Sequence, residues 1–275
     1  MASSVGVNGI TGSVQAIATN GSLTFFGGNF SEADGTVVSG VAQWDGSSWS
    51  NMNGGLSGVV STLAINTSSS SISLYIGGSF TSPANNVVMW DGNSYVVLGN
   101  ASGNGVSGNG GSVNSLAMFQ NFVFVGGSFS QAYGLGGQVN NIAMWDATIL
   151  NWNYLGLTNT VNGVNGPVFA LAVTNSTLYV GGSFTMVNGQ LSTNGVASWA
   201  IMTQVWSVLG GSSSSYSNVV NSIVAYGSDI FFGGSFSVVG GNVAANNVAR
   251  WNTQSSSWFA LTPTTSFPIN SSGHN

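Results

Sequence analysis

The side chains able to do chemistry are few: Glu32, Asp34, Asp45, Asp91, Asp146, Asp229, a single histidine (His274) and a single strongly basic residue (Arg250). General acid–base catalysis needs titratable groups held within reach of one another. Only Glu32 and Asp34 stand close in sequence, in Ser31-Glu-Ala-Asp-Gly35. Two carboxylates two residues apart can begin a calcium loop, but the further oxygen donors of such a loop are missing here, and the segment reads as a solvated loop. Asp45, Asp91 and Asp146 each directly follow a tryptophan. A catalytic carboxylate does not recur at one place in several copies, whereas an aspartate accepting backbone N–H groups in a turn does. Asp229, in Gly227-Ser-Asp, reads the same way, and Arg250, just before Trp251, reads as a surface residue. His274 is one residue from the C-terminus, where order is rare. With one histidine and no cysteine, a nucleophilic triad, a zinc site and a disulfide framework are all out of reach. The sequence predicts no catalytic residue, no metal ligand set and no cofactor, and therefore a protein that is not an enzyme.

Charge is the compositional anomaly. Of 275 residues, 3% are charged and 43% are hydrophobic, against roughly 25% charged in an average soluble protein. Nucleic acid binding needs several cations to displace counterions from phosphates, and one arginine cannot supply them. The same shortage excludes an electrostatic membrane anchor, and no apolar run approaches the ~20 residues of a spanning helix. Surface polarity must then come from Gly, Ser, Asn and Thr. Such a surface is either covered by sugar or meant to associate with copies of itself. N-glycosylation sequons stand at Asn20, Asn29, Asn66, Asn100, Asn175 and Asn270.

The elements that carry these residues repeat. Gly-Gly-Asn-Phe at 27–30 returns as Gly-Gly-Ser-Phe at 77–80, 126–129, 181–184 and 233–236, at intervals of 50, 49, 55 and 52 residues. Each copy holds four short apolar segments. The first reads Val60-Ser-Thr-Leu-Ala-Ile or Val113-Asn-Ser-Leu-Ala-Met; the second runs into the Gly-Gly pair; the third ends in Trp44, Trp90, Trp145, Trp199 or Trp251; the fourth opens on Trp49, Tyr95, Trp152, Trp206 or Trp258. These runs are β-branched or aromatic, bounded by Gly, Asn, Ser and Asp, and read as strands. Four antiparallel strands every ~50 residues are the signature of a propeller blade. The predicted fold is an all-β, five-bladed β-propeller over residues 13–261, with blades at 13–58, 59–111, 112–166, 167–218 and 219–261. Residues 1–12 and 262–275 form extensions outside it. All nine tryptophans fall on repeat positions, which assigns them to packing between blades.

Loop lengths divide the disc. Connections between strands one and two, and three and four, are mostly short turns. Those between strands two and three (31–40, 81–86, 130–141, 185–195, 237–247) and between blades are longer. Strand alternation puts both long classes on one face, and variable loops carry recognition. Tyr133 and Tyr216, aromatics without a repeat position, are the expected contact residues there. Asn20, Asn66 and Asn175 fall on the short-turn face. Asn29 stands in for a serine within a strand and is the weakest of the six as a glycan acceptor.

The strings Leu178-Tyr-Val-Gly-Gly-Ser-Phe-Thr, Asn194-Gly-Val-Ala-Ser-Trp199, Asn140-Asn-Ile-Ala-Met-Trp-Asp146 and Asn246-Asn-Val-Ala-Arg-Trp-Asn252 resemble the kelch-like propeller repeats of the Rax2 type. Such repeats occur in fungal cortical polarity markers and in large secreted or surface proteins. The resemblance covers all five copies and implies fold more than function. The chain departs from it in its scarcity of charge and in Ala200 and Asn252, where an Asp would follow the tryptophan. Together these readings predict a non-catalytic structural or adhesive module outside a cell or on a virion. Its expected partners are copies of itself, other surface proteins or glycans. The alternative is a lectin with repeated sites. Met1–Val5 lacks the charged and apolar regions of a signal peptide.

Overall fold

The computed structural model describes residues 9–67, 71–100, 103–156, 158–210 and 218–261. They form an all-β structure in which every pair of strands is antiparallel and, among the described residues, there is no helix. Five sheets share one strand order, first to fourth in sequence, with each strand paired to the next. Sheet I contains β1 (Ile10–Thr19), β2 (Thr24–Ala33), β3 (Val41–Trp44) and β4 (Trp49–Ser50). Sheet II contains β5 (Val59–Ile65), β6 (Leu74–Ser79), β7 (Val87–Trp90) and β8 (Tyr95–Val97). Sheet III contains β9 (Ser112–Phe119), β10 (Phe122–Ser128), β11 (Ile142–Asp146) and β12 (Asn151–Asn153). Sheet IV contains β13 (Val168–Thr174), β14 (Thr177–Gly182), β15 (Val196–Ala200) and β16 (Val205–Ser207). Sheet V contains β17 (Val219–Tyr226), β18 (Asp229–Ser235), β19 (Val248–Asn252) and β20 (Ser257–Ala260).

The first strand begins earlier than the repeat predicts. β1 starts at Ile10, paired with Ala33, because β2 runs on past the Gly-Gly pair and gives residues 10–12 a partner. The long connections are also less irregular than their composition predicts. Thr36–Val37 folds back on β2, Met186–Val187 pairs with Leu191–Ser192, and Val238–Val239 pairs with Val243–Ala244.

Each first strand carries a register shift at the same place: Val14/Ala16, Val60/Thr62, Val113/Ser115, Val168/Ala170 and Val220/Ser222. One residue per repeat is extra, as in a β-bulge. The second glycine of each Gly-Gly pair makes room for it. A methyl at Gly28, Gly78, Gly127 or Gly234 would sit 2.0 Å from the carbonyl oxygen of Ser13, Val59, Ser112 or Val219.

The first glycine of each pair faces the following sheet. A methyl there would lie 2.4 Å from Val60 Cγ1 at Gly27, 2.5 Å from Val113 Cγ1 at Gly77, and 2.6 Å from Val168 and Val220 Cγ1 at Gly126 and Gly181. These valines are buried, and so are Leu116 and Leu171 one turn of the pleat further on. The core is therefore a set of layers between consecutive sheets. Phe25 meets Val60 between I and II; Tyr75 meets Val113 between II and III; Phe124 meets Val168 between III and IV; Tyr179 meets Val220 between IV and V. Each such side chain removed from water contributes about 1.5–3 kcal/mol. The series stops at the ends. Gly233 meets only Ser222 of its own sheet, at 3.8 Å, and Val14 and Ile17 are exposed. Among the described residues, sheets I and V do not cover one another.

Candidate functional site

The acidic residues are spread through the sheets. Asp45 caps the turn into β4: its Oδ1 accepts the backbone N–H of Ser47 at 2.8 Å and of Ser48 at 2.7 Å, and its Oδ2 accepts the Ser48 hydroxyl. These bonds, that from the Ser47 N–H foremost, hold its carboxyl far below the usual carboxylate range. Asp91 repeats the arrangement with Ser94 and Asn93, and its pKa is lowered for the same reason. Asp146 accepts the N–H of Thr148. Asp229 differs from its predicted role. It opens β18 and binds Arg250 Nη1 at 3.1 Å and Asn252 Nδ2 at 2.7 Å. Arg250 also lies 4.6 Å over the Phe259 ring. The cause lies in the ladder, which sets Asp229 opposite Asn252 with Arg250 two residues along on the same face.

Glu32 belongs to β2, opposite Thr11 and Val37, rather than to a loop. Asp34 takes the turn beyond it at φ 45°, and its N–H donates to Gly9 at 2.8 Å. Among the described residues no three acidic or histidine side chains gather where an ion could sit. His274 lies outside them, as do Tyr216, Asn270 and the extension 262–275.

The aromatic residues pair across strands three and four. Trp44–Trp49, Trp90–Tyr95, Trp145–Trp152, Trp199–Trp206 and Trp251–Trp258 stand directly opposite, with ring centroids 4.9–5.4 Å apart. Three of the fourth-strand indoles reach the preceding sheet. Trp152 Nε1 donates to Leu98 O, Trp206 Nε1 to Leu155 O and Trp258 Nε1 to Leu209 O, at 3.2, 2.9 and 3.0 Å. Tyr95 takes this place in sheet II, and its buried hydroxyl has no partner among the described residues.

At the long-loop face the joining residue is asparagine, which loop composition alone does not single out. Asn85 and Asn140 donate side-chain N–H groups to Asn104 O and Asn162 O, and their own backbone N–H groups are received by the Oδ1 atoms of Asn104 and Asn162. Asn86 and Asn141, at φ 63° and 61°, donate to Val106 O and Val164 O. The long loops and the linkers between repeats are thus stitched together on one face by side chains that imitate backbone amides. The recurring Asn-Asn before strand three was the available signal. Tyr133 is half-buried: its hydroxyl meets the Ser107 hydroxyl at 3.3 Å and its ring covers Gly103. Among the described residues the freely exposed tyrosine is Tyr226, at the end of β17.

Two clefts recur at equivalent junctions. One of 280 Å³ between sheets II and III is lined by Tyr75, Met89, Leu98 and Trp145. Another of 460 Å³ between IV and V is lined by Tyr179, Ser198, Leu209 and Trp251. The tyrosine and tryptophan of each are buried and form floor rather than platform. Burial raises the pKa of both tyrosines. Of the sequons, Asn20, Asn29, Asn100 and Asn175 are exposed and Asn66 is partly so. Asn20 and Asn175 lie in tight turns, while Asn29 points outward from β2.

No protein-family model matches the chain, and no curated protein matches its sequence. Solved structures do. The computationally designed Ika8 protein is similar over 90% of this chain and 60% of its own, with TM-score 0.50 and 16% identity. The extracellular domain of BT4673 from B. thetaiotaomicron, described as a one-component system, is similar over 92% of this chain and 29% of its own, with TM-score 0.57 and 13% identity. A second structure of that extracellular domain gives 0.58 at 12% identity. The chain spans less than two thirds of each, and at these identities the likeness is one of fold. Among the described residues no helix is long and apolar enough to cross a membrane.

Proposed function

We propose that the five sheets are the five blades of a β-propeller unit, left open between sheets V and I in the single chain, and that it serves as a non-catalytic structural or adhesive module outside a cell or on a virion. One observation carries this reading: the distinctive side chains are already engaged in holding the sheets together. The turn aspartates accept backbone N–H groups, the indoles bind the neighbouring sheet, and the asparagines stitch loops to linkers. The kelch-like repeats, the scarcity of charge and the exposed sequons support a sugar-bearing surface that associates with its own copies. Sedimentation at high concentration tests this, together with the intact mass of native material. Larger assemblies and added hexose mass are expected, and a bare, unmodified monomer overturns the reading.

The recurrence of the inter-sheet cleft favours carbohydrate binding as a second reading. A multivalent lectin agglutinates glycan-coated particles and is inhibited by free sugar, whereas a building block assembles without sugar. A blank array across broad sugar classes removes the lectin.

A further inference from the structure

The two open ends of the stack are the two halves of an interface that the chain builds four times. At each internal junction a glycine of strand two receives a valine from the first strand of the next sheet: Gly27 with Val60, Gly77 with Val113, Gly126 with Val168, Gly181 with Val220. Gly233 is the receiving half of a fifth such pair, and Val14 the entering half. Among the described residues neither has its partner.

The exposures agree on both sides. On sheet I, Val14 is 40% and Ile17 is 63% exposed, whereas Val60, Val113, Val168 and Val220 are at most 1% exposed. On sheet V, Val248 is 43% and Leu261 is 52% exposed, whereas the matching Val41, Val87, Ile142 and Val196, and Leu98, Leu155 and Leu209, are at most 9% exposed.

The polar groups match as well. Between sheets III and IV, Asn114 Nδ2 donates to Val168 O at 2.9 Å, and Leu171 N–H donates to Ser115 Oγ at 3.0 Å. Sheet V repeats the Val-Asn-Ser sequence of sheet III as Val220-Asn-Ser222, and Asn221 and Ser222 are exposed. Sheet I offers the corresponding Val14 carbonyl and Ile17 N–H.

We infer that the sheet V face of one molecule docks on the sheet I face of a second copy of this chain. Gly233 receives Val14, and Asn221 and Ser222 bind the backbone of Val14 and Ile17. The inference rests on the self-association proposed above and names the faces through which it runs. Such an interface is head-to-tail, so it propagates into a ring or a filament rather than stopping at a two-fold dimer. Sheet V brings no net charge that would oppose contact, because its cation, Arg250, is already paired with Asp229.

The chain lacks cysteine, so engineered disulfides report the contact cleanly. At an internal junction the added Cβ of Gly27 would lie 3.1 Å from Val60 Cβ, about 0.7 Å inside the ~3.8 Å disulfide mean, a gap that a small separation of the two strands makes up. Gly27→Cys with Val60→Cys is therefore the positive control, expected to close within one chain. Val14→Cys with Gly233→Cys is expected to give a ladder of linked copies on a non-reducing gel. Closure within a single chain overturns the inference, as does absence of any link while the control forms. The two readings separate in sedimentation of the unmodified protein. Assemblies that form while the Val14–Gly233 pair fails to link overturn the face assignment alone. Monomers at high concentration overturn the self-association beneath it.

Discussion

The indole N–H of Trp206 donates to the carbonyl oxygen of Leu155 at 2.9 Å, across the gap between sheets III and IV and 51 residues along the chain. Both groups are buried, so the bond has no water to replace it. Removing the donor leaves the carbonyl unsatisfied, at about 1–3 kcal/mol, in addition to lost packing. Trp206→Phe is expected to lower the thermal midpoint by several degrees, read by circular dichroism. An unchanged midpoint would mean that the fourth-strand indoles do not join the sheets.

Tyr95 tests the same position from the other side. Its hydroxyl is buried without a partner among the described residues, and that same burial raises its pKa. Tyr95→Phe removes a desolvated polar group and keeps the ring on Trp90. A stability gain of about 1 kcal/mol is expected in denaturant titration.

Glycines of identical sequence context should answer differently. At Gly126 an added methyl would meet Val168 Cγ1 at 2.6 Å, whereas at Gly233 the nearest neighbour is Ser222 Cβ at 3.8 Å. Gly126→Ala is expected to cost about 1–3 kcal/mol through overpacking. Gly233→Ala is expected to leave the folding of the single chain intact.

The acid limb of stability should trace to the turn aspartates. Asp45 and Asp91 have native pKa values depressed below the ordinary carboxylate value, so their ionised forms favour the folded state. Their contribution is complete above the unfolded pKa of about 4 and is lost as pH falls from there through the lower native values. Asn20 and Asn252 show that an amide oxygen accepts the same turn N–H groups. Asp45→Asn with Asp91→Asn is therefore expected to keep the fold and flatten the decline in thermal midpoint below pH ~4.

Trypsin has one site, after Arg250, since the chain holds a single Lys or Arg. Arg250 lies within β19, paired on both sides and tied to Asp229. Native protein is expected to resist cleavage, and unfolded protein to yield two fragments. Cutting at native temperature would place β19 in a locally opening segment.

The sequence made the strands and their fivefold recurrence readable because hydrophobic alternation and the Gly-Gly pair follow directly from packing between sheets. The turn aspartates were equally plain, since Asp after tryptophan has one structural use. Other features were hidden for physical reasons. The pairing of Asp229 with Arg250 depends on register between strands 21 residues apart. The asparagine stitching joins loops to linkers about 20 residues on, and Asn in a loop looks the same whether bonded or solvated. The open ends left no mark at all. Val14 and Gly233 carry the residues of an internal junction, and a sequence encodes the halves of an interface without recording whether they meet.

The bulge in each first strand leaves one position per repeat free of the ladder: Gln15, Ser61, Asn114, Phe169 and Asn221. The flanking residues hardly change from copy to copy, while these five include an amide, a hydroxyl and a phenyl ring. Because the distortion is absorbed by glycine on the neighbouring strand, the side chain there can be exchanged without shifting a pair of the ladder, and what it meets beyond the ladder, as Asn114 meets Val168 O, is set copy by copy. The architecture thus holds a column of editable sites inside an otherwise uniform scaffold, where a lineage or an engineer could vary chemistry while conserving shape.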